Sequence, residues 1–158
     1  MSFVASEAIQ REAMAECVKL CKYVAETFKL QLDWTDQSIE KIEDLLDFFH
    51  REAQKDNPSD ADVAMFSKGF GSYIGEVYRR NHGASWGTVT LGDESHHGLQ
   101  AAGSGIQFWP RGRAQQRILD GPTANVWDYY QELLRRGATT GKASAPDRPW
   151  WKSLFKRF

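Results

Sequence analysis

The chain is poor in the features that most often announce a function. Of its 158 residues only two are cysteine, Cys17 and Cys21. They stand four apart in a helical pattern and so share a face. A disulfide between them would close too short a loop for good geometry. Two buried thiols in a reducing compartment are expected. One Cys-x-x-x-Cys pair also offers too few ligands for zinc, so no metal is expected. No stretch approaches the roughly eighteen apolar residues of a membrane span. The opening MSFVASEAIQREAM has neither the basic start nor the unbroken apolar core of a secretion signal, and a cytoplasmic location is expected. Charge of one sign is missing as well. A net charge of -1 speaks against a general nucleic-acid binder, which would be basic overall. There is no internal repeat. No Ser-His-Asp or Cys-His order places a nucleophile on a strained turn. No catalytic residue and no cofactor are therefore expected, and the chain is read as a non-enzyme.

What remains is an ordinary globular composition, 41% hydrophobic and 26% charged, at the length of one domain with a real core. The first segment, 2–30, reads as a helix, with Met14, Cys17, Val18, Cys21, Val24, Ala25 and Phe28 on its inner face. Arg11, Glu12, Glu16, Lys19, Lys22 and Glu26 fall on the other. A second helix begins near Asp36 under a Thr35 cap and ends before Asp56-Asn57-Pro58. A third starts at Ser59, with Asp62 completing a capping box, and stops at Asn81-His82-Gly83. The texture then turns β-branched and aromatic. WGTVTL, HGLQAA and IQFWP read as a meander of two or three antiparallel strands, closed by Pro110. A short helix over 111–119 follows, broken at Asp120-Gly121-Pro122. Thr123 is expected to cap a last helix with Val126, Trp127, Tyr130, Leu133 and Leu134 inside, ending at Arg135-Arg136-Gly137. The expectation is one α+β domain over 1–137: three N-terminal helices, a small two- or three-stranded antiparallel sheet and a C-terminal helix. Residues 138–149 read as a flexible linker and 150–158 as an aromatic, basic tail.

The densest stretch is GFGSYIGEVYRRNHGASWG, residues 69–87. Gly71 and Gly75 stand one helical turn apart. Each glycine costs a helix about 1 kcal/mol, so close packing should compensate. The strand–loop–helix context and the Gly-Lys-Ser/Thr ending of a phosphate loop are missing. Glu76 lies beside the apolar face, and Arg79 and Arg80 follow at pairing distance. The spacing predicts a structural ion pair. The alternative is a ligand pocket formed by Glu76, Arg79, His82 and Trp86. His82 also suits a helix C-terminus through the dipole.

Two acidic runs stand out, Glu40-Glu43-Asp44-Asp47 and Asp56-Asp60-Asp62. Asp93, Glu94, His96 and His97 form a polar turn. Adjacent histidines on a strand point to opposite faces and do not readily grip one metal ion. These residues are candidate partner contacts, although charged runs are commonly only solvated faces. In the tail, Trp150, Trp151, Leu154, Phe155 and Phe158 make an apolar band beside Lys152, Lys156 and Arg157. Such a segment can dock on a partner or on the domain, or lie on an anionic membrane surface. It is short for an independent helix, so docking is preferred to membrane contact.

GSYIGEVYRRNHGASWG, then IQFWPRGRAQQRILDGP and WDYYQELL, resemble the order of elements in a family of small bacterial single-domain proteins without established function. There a Gly-x-x-x-Gly-Glu helix leads to a strand with tryptophan. An aromatic-Pro stretch, an Arg-x-x-x-Gly-Pro element and an aromatic helix follow. The resemblance covers about residues 35–136 and carries no catalytic residues. Similar small α+β proteins include immunity proteins made beside secreted bacterial toxins. The resemblance therefore implies a cytosolic binding protein that blocks a toxin domain, and acidic runs suit a basic partner. The alternatives are a small enzyme or ligand-binding domain at the Glu76 pocket, and a peripheral membrane adaptor acting through the tail.

Overall fold

Ser6 decides where the first helix begins. In the computed structural model, which describes residues 1–139, Ser6 is extended and its side chain accepts from the Ile9 backbone N–H. This is a serine N-cap, and it starts helix α1 at Glu7–Phe28. The four residues before it form strand β1, Ser2–Ala5. The helix expected from residue 2 thus starts five residues later. Helix α2 spans Ser38–Asp56 and helix α3 Asp60–His82. Strands β2, Ala84–Leu91, β3, Glu94–Ala101, and β4, Gln107–Phe108, follow. Helix α4 covers Pro110–Asp120, a single 3-10 turn Pro122–Ala124, and helix α5 Val126–Thr139.

The sheet is antiparallel in the order β1-β2-β3-β4. It has four strands rather than two or three, because Ser2–Ala5 pair with β2 from Ser2↔Thr90 to Ala5↔Gly87. The class is α+β, with five helices among the described residues. Helix α3 is the axis. It packs on α1 and α4 along its length and meets β2 and β3 at its C-terminal half. Its burial is continuous from Gly69 to Tyr78, as expected of a helix with neighbours on several sides.

Local chemistry explains most boundaries. Thr35 Oγ1 accepts from the Ser38 N–H at 3.2 Å, while Ser38 Oγ donates to the Thr35 carbonyl. The Thr35 cap is therefore present, and regular helix begins at Ser38. Asn57 ends α2 in the left-handed region. Ser59 caps α3 through the Asp62 N–H, and Gly83, at φ 84°, stops it.

Three other expectations are corrected. Helix α1 is rotated: Ala13, Cys17, Leu20 and Val24 are buried, whereas Met14 and Val18 are exposed and Glu12 and Glu16 half-buried. Thr123 lies in the 3-10 turn, and α5 is capped by Asn125, whose Oδ1 accepts from the Asp128 N–H at 2.9 Å. Helix α5 runs past Gly137 to Thr139, so the expected linker begins inside a helix. The tail, with Trp150, Trp151, Phe155 and Phe158, lies outside the described residues.

Candidate functional site

Glu76 is fully buried in the middle of α3. Arg79 donates to it twice, from Nε at 2.7 Å and Nη2 at 2.9 Å. Arg80 Nε adds a bond at 3.3 Å and Trp86 Nε1 one at 2.9 Å. Burial alone would raise this carboxyl, but the Arg79 and Trp86 bonds outweigh it and hold it below the ordinary range. Glu76 thus faces the core and not a cleft. His82 turns away from it, with Nε2 2.8 Å from Asp36 Oδ2 at the start of α2. The structure therefore brings Glu76, Arg79 and Trp86 together around a sealed carboxylate and leaves His82 apart.

The two glycines seat neighbouring elements. A methyl group on Gly71 would collide with the backbone of Arg111 at the start of α4. One on Gly75 would collide with the Trp86 indole. Ser72, between them, accepts from Arg111 Nε at 3.1 Å. The stretch 69–87 is a socket that positions Trp86 from the sheet and Arg111 from α4.

The first acidic run divides in two. Glu40 and Asp44 are exposed on α2. Glu43, only 9% exposed, accepts from Arg117 Nε and Nη2 at 2.8–3.1 Å and from the Val126 backbone N–H at 2.8 Å. Asp47 accepts from the same guanidinium at 2.7 Å. The Arg117 bond is the main reason that the Asp47 carboxyl titrates below its ordinary value. Glu43 is thus an internal anchor for α4 and the start of α5, and it is not free for a partner. Three residues per turn and a fraction place Glu43 and Asp47 on one face. Their partner lies 74 and 70 positions away, so the pairing was invisible in the sequence.

Asp93 and Glu94 sit exposed at the β2–β3 turn. His96 stacks on Trp109 with centroids 4.9 Å apart. His97 accepts from Arg111 Nη1 through Nδ1 at 3.3 Å. Both histidines line an open cleft of about 400 Å³ between α1, α3, β3 and the start of α4. Its other polar groups include Glu12, Ser67, Lys68 and Arg111, none of which sequence reasoning had singled out as site residues. Glu12 Oε1 lies 3.0 Å from Arg111 Nη1 and 3.5 Å from Lys68 Nζ. Burial would raise the Glu12 carboxyl, but Arg111 outweighs it and the net shift is downward. Among the described residues no group of three or more His, Cys, Asp or Glu side chains is arranged to hold a metal.

A second concave region is apolar. Phe49, Val63, Phe66 and Ile118 line a hollow of about 170 Å³ between the end of α2 and the start of α3, with Glu52, Asp56 and Asp62 also along it. Across Phe66 a second hollow, of about 180 Å³, is lined by Leu20, Tyr23 and Met65, with Glu16 and Lys19 beside them. Met65 is 56% exposed. The two hollows make one apolar strip with carboxylates at both ends.

These features define the class of protein: an α+β domain in which the sequence's most conspicuous motif is structural and the accessible concavities lie elsewhere. Against known protein families, curated proteins and solved structures, the chain shows no match. Among the described residues no helix is long and apolar enough to cross a membrane.

Proposed function

We propose that the protein is a non-catalytic binding protein that holds a basic, apolar protein surface against the strip on either side of Phe66. The observation that carries this reading is the pairing of exposed apolar surface with Glu16, Glu52, Asp56 and Asp62 around it, four carboxylates against the one lysine, Lys19. Interfaces place an apolar centre inside a polar rim. A rim mainly of one sign speeds encounter with a partner of the other and disfavours like charge. Asp56 and Asp62 of the second acidic run contribute to that rim, whereas half of the first run is engaged with Arg117.

The concrete form of the proposal is an immunity protein that occludes a toxin domain in the cytoplasm of the cell that makes both. Exposed Glu40, Asp44, Asp93 and Glu94 extend the acidic surface. A pocket at Glu76 is not favoured, because that carboxylate is sealed and paired.

The test is co-expression with the product of the adjacent gene, read as growth rescue and retention in a pull-down. The wild type is expected to rescue. The double charge reversal Glu52→Lys/Asp56→Lys, on an exposed helix end, is expected to fold normally and to lose both retention and rescue. If the wild type retains nothing and rescues nothing, the immunity reading fails. If the reversal changes nothing, the strip is not the interface.

A further inference from the structure

The cleft that holds His96 and His97 carries a different chemistry from the acidic strip. Its floor includes Ser67, which is 3% exposed. The Ser67 hydroxyl has no hydrogen-bond partner among the described residues. Buried polar groups are nearly always bonded, so an orphan hydroxyl on the floor of a cleft is an informative exception. Arg111 supplies a second one. Its Nε donates to Ser72 and its Nη1 faces Glu12 and His97. Its Nη2 is buried and has no partner among the described residues. The backbone of Arg111 is held against Gly71, so the guanidinium is placed before any ligand arrives.

The surroundings favour negative charge. Lys68 stands at the rim, half-buried beside Glu12. Helix α4, eleven residues long, begins at the cleft with no side-chain cap and no acidic residue in its first turn. The carboxylate that reaches this positive helix end comes from outside the helix, Glu12 of α1. Glu12 offsets one of the two permanent cations, and His96 and His97 border the same space. A carboxylate ligand would use two oxygens. Here a hydroxyl, a guanidinium N–H pair and an ammonium border one cleft, more donors than two oxygens use, which suits a tetrahedral group with three terminal oxygens.

We infer that this cleft binds a phosphate group, free or as a monoester, through the Ser67 hydroxyl, Arg111 Nη2 and Lys68 Nζ. Glu12 acts as the positioning residue: its Oε1 lies 3.0 Å from Arg111 Nη1 and 3.5 Å from Lys68 Nζ, and so holds the two cations side by side. The site lies apart from the Phe66 strip and does not depend on the partner proposed there.

The experiment is calorimetric titration of the full chain with inorganic phosphate and with phenyl phosphate, using acetate as the control anion. Saturable one-site binding of at least one phosphate species, with acetate inert, is expected. Tighter binding of phenyl phosphate assigns an ester, and equal binding assigns the free ion. Ser67→Ala should weaken binding about tenfold or more, the usual loss of a hydrogen bond to a charged group. Its melting midpoint without phosphate should stay level or rise, since an unbonded hydroxyl is removed. Lys68→Gln should weaken binding to a similar degree with the fold intact. The inference is overturned if neither phosphate species binds saturably, if acetate binds equally, or if both variants bind like the wild type. A phosphate-free midpoint that falls in Ser67→Ala would equally overturn it, because the hydroxyl would then have a structural partner.

Discussion

Trp86 donates from Nε1 to Oε2 of Glu76 across 2.9 Å, and so fastens the first long strand to the helix that precedes it. The same carboxylate takes three further bonds from Arg79 and Arg80. Removing the two sides of this cluster should not be equivalent. Arg79→Met/Arg80→Met leaves a buried, unpaired carboxylate and should cost about 3–5 kcal/mol. Glu76→Ala leaves two arginines that can reach water, and should cost about 2–3 kcal/mol for the lost bonds and the orphaned indole N–H. Urea denaturation measures both. Equal losses would show that stranding the buried carboxylate carries no extra penalty.

Acid stability follows from the same group. Glu76, like Glu132, is held below the ordinary glutamate value of 4.5 in the folded chain. A depressed folded value contributes stability that is present above about pH 4.5 and is lost as pH falls through the lower, folded value. The unfolding midpoint should be flat above pH 5 and decline below about pH 4.5. In Glu76→Gln the acid decline should be shallower, from a lower plateau. Thermal melts from pH 3 to pH 7 measure this.

The three glycines of α3 should respond differently to one methyl group. Gly69→Ala meets only ordinary contact with Leu20, at 3.5 Å. It should gain up to about 1 kcal/mol from helix propensity. Gly71→Ala and Gly75→Ala collide with Arg111 backbone and with the Trp86 indole. Each should lose about 1–3 kcal/mol despite the same propensity gain. A stabilised Gly71→Ala would mean that α4 is not seated as described.

Arg117→Met should leave Glu43 buried without its guanidinium and cost about 3–5 kcal/mol. Replacing both, as Arg117→Met/Glu43→Met, should recover much of that loss. The recovery should be incomplete, because the Val126 N–H then loses its acceptor. Chemical denaturation of the two single variants and the double gives the coupling.

Interactions within one turn were legible in the sequence. The Ser59 cap, the Gly83 stop and the pairing of Glu76 with its arginines depend on neighbours three or four positions away, and each is present. The long-range features were not legible. Strand β1 is four residues long and runs into an amphipathic pattern, so periodicity absorbed it into α1; only β2 makes it a strand. The inner face of α1 was misplaced because Met14 and Val18 are as apolar as the small Ala13 and the more distant Leu20 that fill the core. Arg111 and Arg117 fall in the short helix expected over 111–119, where no local pattern marks them. Their partners come from α1, α2, α3 and β3, and no spacing rule connects those elements.

The short outer strand also governs how copies of this protein would entangle. Residues 2–5 cover the open flank of β2 with one brief ladder, from Ser2↔Thr90 to Ala5↔Gly87. If that ladder peels away, the N–H and C=O groups of β2 are left as a template for an identical segment. Four residues from a second molecule would satisfy them as well as the molecule's own. Reciprocal strand exchange is therefore a route open to this fold when it is crowded or partly unfolded.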